Sequence, residues 1–98
     1  MQIIQTPYVV EEKNKHVGKI VSESNYEVMN IQLKKGEKIP THHADCDVLI
    51  IVRRGTVLFT VEEEKVELSS ENILQMNPFE KHSLESVEDA DLLVLKIK

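Results

Sequence analysis

The sequence predicts an all-β fold, a sandwich or barrel of eight to ten short strands. The apolar runs are at most eight residues long, and most are bounded by glycine, proline, asparagine or acidic residues, which are typical turn signals. No segment repeats apolar residues at helical spacing over the eleven or more residues that a helix needs. Ninety-eight residues can bury one hydrophobic core but not two. Residues 1–98 are therefore predicted to form a single domain.

Three strands are predicted in the first third of the chain. Gln2–Gln5 and Lys19–Glu23 are short β-prone runs, and the charged stretch 11–16 between them is interpreted as a solvated loop. In Tyr26–Leu33 the last apolar residues alternate with polar ones, which is typical of a strand with one buried face. We expect the polar members of this strand to lie on its exposed face. They are Glu27, Asn30 and Gln32.

The stretch Gly36–Gly55 is predicted to be a strand, a loop and a second strand between two glycine turns. Its first strand is interrupted by Pro40, and its second, Val48–Val52, is apolar at every position and rich in β-branched residues. Such a strand is typically covered on both faces, so we expect it to lie centrally in a sheet or in a subunit contact.

The second half of the chain contains five more predicted strands, each closed by a turn signal. Alternating apolar residues and the breaks at 62–65, 69–72, 77–78 and 88–91 define them. The strands are Thr56–Val61, Val66–Leu68, Ile73–Met76, His82–Val87 and Leu92–Ile97.

Composition excludes some partners and compartments. Twelve basic residues against seventeen acidic ones give a net charge of -5, the wrong sign for a surface that follows phosphates, so we expect no nucleic-acid partner. No segment approaches the ~20 apolar residues of a membrane span, so no membrane association is expected. The single cysteine, Cys46, is consistent with a reducing compartment. We therefore expect a cytoplasmic protein.

The loop of the Gly36–Gly55 stretch is rich in metal-ligating side chains. Five fall within six residues: His42, His43, Asp45, Cys46 and Asp47. Alternate residues of an extended chain share a face, so His42 and Cys46 are predicted to point inward and His43 to point outward. The pattern is a moderate signal for a transition-metal site, since imidazole, thiolate and carboxylate are its usual ligands.

Two motifs in this chain resemble those of the cupins. The first cupin motif runs from a glycine through His-x-His and a glutamate to a closing glycine, and Gly36, His42 and Gly55 fall in that register. The second ends in a proline-bearing turn and a histidine, which Asn77–His82 resembles. Ala44 and Val48 replace the family's second histidine and its glutamate. The resemblance implies a double-stranded β-helix, or jelly-roll barrel, in which His42 and His82 remain as ligands of a divalent zinc, manganese, nickel or iron ion.

The identity of a third ligand is left open by the sequence. Cys46 would replace the missing histidine if the loop folded it back, and Asp47 would complete a two-histidine, one-carboxylate set after a bulge. His43 is the third candidate. The alternative for His42 and His82 themselves is an interior pair that hydrogen-bonds to backbone or water.

Three functions follow from these alternatives. The first is a small barrel that binds a small-molecule ligand in its interior, with or without a weakly held metal. The second is a metal-dependent enzyme, of dioxygenase or isomerase type, that uses His42 and His82. The third is a metal-free barrel without a catalytic role, its interior made apolar by Ala44 and Val48. For all three we expect a homodimer, because Val48–Val52 is apolar on both faces and Gln2–Gln5 has little else to pair with.

Overall fold

The computed structural model describes all 98 residues and contains nine β-strands and no helix. The all-β prediction is confirmed. The strands are β1 Lys15–Ser22, β2 Tyr26–Leu33, β3 Lys38–His42, β4 Asp47–Arg54, β5 Val57–Val61, β6 Glu64–Leu68, β7 Ile73–Met76, β8 His82–Ser86 and β9 Ala90–Ile97. With no helix present, none can be long and apolar enough to cross a membrane.

The strands form two antiparallel sheets that face each other in a jelly-roll arrangement. The five-stranded sheet has the order β1-β2-β9-β4-β7, and the four-stranded sheet has the order β3-β8-β5-β6. The core lies between them, because each strand points alternate side chains inward. Its buried apolar members are Ile31, Leu33, Cys46, Val48, Ile50, Val52, Val57, Phe59, Leu68, Met76, Leu84, Ala90, Leu92 and Val94.

The prediction of a strand at Gln2–Gln5 is wrong, and the second predicted strand begins earlier than expected, at Lys15. Residues 1–9 pair with no strand. Part of this segment is held instead by side chains of the five-stranded sheet. Arg53 donates to the Thr6 hydroxyl at 2.9 Å, and the Arg54 guanidinium lies 4.0 Å from the centre of the Tyr8 ring. The apolar residues of so short a run did not decide its conformation.

The expectation that Asn30 and Gln32 lie exposed is also wrong, since both are at most 2% exposed. The Gln32 amide donates to the Pro7 carbonyl at 2.8 Å and accepts from the Val9 amide at 2.7 Å. Asn30 donates to the Asp91 carboxylate at 2.6 Å. The N-terminal segment thus provides hydrogen-bond partners for the buried Gln32, and β9 provides them for the buried Asn30. Glu27 is buried as well, but it lies on the inward face of β2.

The two strands of the Gly36–Gly55 stretch lie in different sheets. β3 is an edge strand, where Pro40 is tolerated because no neighbour needs its missing N–H, and its pairing with β8 is irregular between Ile39 and His42. β4 lies between β9 and β7, which confirms its central position. Only its inner face is buried, however, and Leu49 and Ile51 on the outer face are partly exposed.

Gly55 closes the turn after β4 in a conformation that no other residue fits. Its φ is +79°, and a Cβ there would lie 2.1 Å from the carbonyl oxygen of Asp89. Gly36 also has a positive φ, of +88°, but nothing lies within 4 Å of its absent Cβ. Gly55 is therefore required by both sterics and backbone angle, and Gly36 by backbone angle alone.

Candidate functional site

A cavity of about 410 Å³ opens between the two sheets at the end where β3 and β8 carry their histidines. Most of its lining is apolar, contributed by residues of seven strands and by Ala44 of the loop after β3. The fifteen lining residues are Lys15, Val17, Met29, Ile31, Ile39, Pro40, His42, Ala44, Val48, Ile50, Phe59, His82, Leu84, Val94 and Lys96. Ala44 and Val48, at the positions where the cupin motif has a histidine and a glutamate, contribute apolar surface instead.

His42 and His82 meet at the wall of this cavity, where His42 is exposed and His82 is buried. His42 ends β3, His82 begins β8, and the two are direct partners across the sheet. Their ring centroids are 4.2 Å apart, with an angle of 64° between the planes. The close approach follows from the pairing, because opposed residues of antiparallel strands have Cβ atoms about 4.5–5.5 Å apart.

Both histidine rings are held in the same tautomer by backbone carbonyls. Nδ1 of His42 lies 2.9 Å from the Pro40 oxygen, and Nδ1 of His82 lies 2.9 Å from the Glu80 oxygen. A carbonyl can only accept, so each Nδ1 of the neutral ring carries the hydrogen. The lone pair is then on Nε2 of each ring, which no protein group engages. Metal-binding histidines are usually oriented by this kind of second bond.

Burial lowers the pKa of His82 below its ordinary value of 6.5, because the charged form loses hydration. The hydrogen bond to the Glu80 carbonyl opposes this effect, while the charges of His42, Lys96 and His43 add to it. His82 is therefore neutral at physiological pH, the form in which Nε2 can accept a hydrogen bond or bind a metal.

None of the proposed third ligands lines the cavity. Cys46 is buried in the core, Asp47 is exposed at the start of β4, and His43 is exposed with its ring 6.0 Å from that of Phe79. No group of three or more histidine, cysteine, aspartate or glutamate side chains is placed to hold a metal ion. The structure thus brings His42 and His82 together and leaves the other candidates apart from them.

Two lysines that sequence reasoning missed also line the cavity. Lys96 lies on the inward face of β9 in line with Leu92 and Val94, a spacing of two that could have identified it. Lys15 had been assigned to the charged loop and instead begins β1. No aspartate or glutamate lines the cavity.

The turn between β7 and β8 carries an unusual backbone conformation at Phe79. Its φ is +70°, and its ring is 63% exposed. A positive φ is rare for a bulky residue and marks local strain. The Phe79 amide donates to the Ala44 carbonyl at 2.7 Å, which ties this turn to the loop after His42. Phe79 and Ala44 border a shallow depression that adjoins the cavity at Lys96.

A scan against protein families matches residues 32–98 to the AraC-like ligand binding domain. A protein of Methanocaldococcus jannaschii is 27% identical over 81 residues, which are 83% of this chain and 70% of that protein.

Solved structures share the fold at low sequence identity. That Methanocaldococcus protein, described as an RmlC-like cupin with a double-stranded β-helix fold, superposes with a TM-score of 0.85 at 20% identity, covering 99% of this chain and 90% of its own. A conserved Streptococcus pyogenes protein of unknown function superposes with a TM-score of 0.83 at 19% identity, covering 100% of this chain and 96% of its own. A cupin superfamily protein of Desulfitobacterium hafniense superposes with a TM-score of 0.81 at 15% identity, covering 88% of this chain and 79% of its own.

Proposed function

We propose that this chain, which belongs to the AraC-like ligand binding domain family of the cupin superfamily, binds a small molecule inside its barrel. The single observation that supports this function is the cavity between the sheets. Its volume of about 410 Å³ falls within the range of small-molecule sites, ~300–1,000 Å³. A mostly apolar wall with a few polar groups is also typical of such sites.

The apolar wall supplies affinity and the polar lining residues supply orientation. Each Å² of apolar ligand surface removed from water contributes about 25 cal/mol. The polar groups are the two imidazoles and the two lysines, and the imidazoles are held by backbone bonds before any ligand arrives. Such preorganisation lowers the entropic cost of binding.

A fragment screen followed by amide NMR would test this function. We expect bound fragments to shift the signals of cavity-lining residues such as Val48 and Leu84. Ala44→Phe, which places a ring at the cavity wall, should abolish these shifts. Ser83→Phe, which adds the same bulk on the outer face of β8, should leave them unchanged. Fragments that bind Ala44→Phe as well as the wild-type protein would contradict an interior site.

A divalent metal is the second part of this proposal, and the tautomers of His42 and His82 favour it. The bonds from Nδ1 to backbone carbonyls leave Nε2 of each ring available as a ligand, and the two ring centroids are 4.2 Å apart. The chain supplies two donors and no third. Water or a ligand donor would complete the coordination, so the affinity is modest. Such an ion would supply Lewis-acid chemistry for an isomerase-type reaction, and a redox-active ion such as iron would supply the electron transfer that a dioxygenase-type reaction requires.

We also propose that the protein is a homodimer, joined through the outer face of the five-stranded sheet. The apolar side chains there are directly opposed across β4 and β9, Leu49 with Leu95 and Ile51 with Leu93. All four are partly exposed, and the neighbouring Ile73 and Ile97 are 62% and 45% exposed. A contiguous apolar surface on a sheet is typical of a protein contact.

A further inference from the structure

The cavity is electrostatically distinct from the rest of the molecule. The chain has seventeen acidic and twelve basic residues, yet the only charged side chains that line the cavity are Lys15 and Lys96. The remaining polar lining consists of two histidines. A cationic pocket in an acidic protein favours a negatively charged ligand group.

The two lysines lie at opposite ends of the cavity. Lys15 pairs with Leu33 and Lys96 pairs with Glu27, which are six residues apart along β2, or roughly 20 Å at 3.3 Å per residue. One small ligand head group cannot contact both. The Lys15 ammonium is already engaged, since it donates to the Lys38 carbonyl at 2.6 Å.

Lys96 belongs to a cluster with surplus positive charge. The Glu27 carboxylate lies 3.1 Å from the Lys19 ammonium, 3.8 Å from that of Lys96 and 3.7 Å from that of Lys98. The hydrogen bond from Lys19 outweighs partial burial and lowers the pKa of Glu27, so one full negative charge faces three positive ones. Asp45 lies in the adjoining depression but forms no ion pair with these lysines. With Asp45 counted, three positive side chains face two negative ones in this cluster.

We propose that the ligand is a small organic acid whose anionic group binds at Lys96 and whose apolar body fills the cavity. This inference rests on the proposed ligand-binding function and narrows it to one chemical class. The body packs against side chains such as Ile50, Phe59 and Val94. Its head group forms a charge-assisted hydrogen bond at the partly shielded end of the cavity, where such a bond is stronger than in water.

Three compounds of equal chain length test the sign of the charge: octanoate, octanamide and octylammonium. Calorimetric titration of the full chain in the presence of a chelator gives their affinities without metal. We expect octanoate to bind about tenfold more tightly than octanamide, which equals about 1.4 kcal/mol, and octylammonium to bind most weakly. The preference for octanoate should shrink as salt is added, because Lys96 is partly exposed.

Two substitutions distinguish a direct contact between Lys96 and the ligand from the general effect of the nearby positive charges. Lys96→Gln should reduce octanoate binding to the level of octanamide and leave octanamide unchanged. Lys98→Gln is the matched control, since Lys98 contacts the same carboxylate but does not line the cavity. This variant should keep most of the preference for octanoate over octanamide. If octanamide binds the wild-type protein as tightly as octanoate, the anion inference is overturned while the ligand-binding function stands. If none of the three compounds binds, the organic-acid inference is overturned, and the fragment screen alone decides the ligand-binding function.

Discussion

His42 and His82, forty residues apart in the sequence, face each other across two paired strands with ring centroids 4.2 Å apart. Each ring donates from Nδ1 to the carbonyl of the residue two positions before it. Both histidines thus make the same local hydrogen bond, which leaves the Nε2 lone pair of each ring at one end of the cavity. This arrangement supports both metal binding and direct ligand binding, which respond differently to substitution.

Metal binding should depend on both histidines. We expect His42→Ala and His82→Ala each to abolish the rise in melting temperature produced by zinc, manganese, nickel or iron, because one imidazole alone holds an ion weakly. His16→Ala should leave it unchanged, since His16 lies on β1 outside the cavity. Affinity should fall at acid pH as protons compete for Nε2, and the lowered pKa of His82 moves its part of this loss below 6.5.

The third ligand is tested by Cys46→Ser. Because Cys46 is buried in the core and does not line the cavity, we expect metal binding to be retained. Lost binding would instead make the thiolate a ligand that moves on metal uptake. Should none of the four metals shift the melting temperature of the wild-type protein at neutral pH, the metal-free barrel is the correct reading.

Stability should fall between neutral and mildly acid pH because of His82. Its pKa is lower in the folded protein than in the unfolded chain, so the unfolded state binds more protons in that interval. The contribution of His82 is complete above about pH 6.5 and is lost as the pH falls toward the folded-state pKa. Denaturant unfolding from pH 7.5 to 5.5 should show a steeper loss for the wild-type protein than for His82→Gln. An equal pH dependence of the unfolding free energy in the two proteins would show that burial does not shift the pKa of His82.

Gly55→Ala should destabilise the protein far more than Gly36→Ala. Both positions have positive φ, which costs an alanine roughly 1–2 kcal/mol. Only at Gly55 would the new methyl group also collide with backbone, 2.1 Å from the Asp89 oxygen. We expect Gly36→Ala to lose about 1–2 kcal/mol in urea unfolding and Gly55→Ala to lose at least twice as much. Similar losses would mean that the turn after β4 shifts easily.

The dimer should depend on the outer face of the five-stranded sheet. Leu93→Glu places a charge among the opposed leucine and isoleucine side chains of β4 and β9, so we expect light scattering to give a monomer of 11.3 kDa. Leu58→Glu makes the same change on the outer face of the four-stranded sheet and should leave a dimer. A wild-type protein that is monomeric at micromolar concentration would remove the proposal.

Local pattern was sufficient for most of the strands because each is bounded by turn chemistry and has a period of two. Val48–Val52, Ile73–Met76 and Leu92–Ile97 were each predicted within a few residues of their observed bounds. The failure at Gln2–Gln5 has a different cause. A strand needs a partner with free backbone groups, and nothing local to residues 1–9 shows that side chains such as Gln32 and Arg53 hold this segment instead.

The sequence by itself determined the all-β class, the glycine turns and the inward direction of His42, since each depends on neighbours within a few residues. Only the tertiary structure decided which residues share the cavity. The pairing of β3 with β8 brings His82 to His42, while the path of the loop between β3 and β4 keeps Cys46 and Asp47 away. The pairing of strands distant in the chain also places Lys96 at the cavity and buries Asn30 beside Asp91. These contacts join strands distant in the chain, and strand order is not encoded in local periodicity.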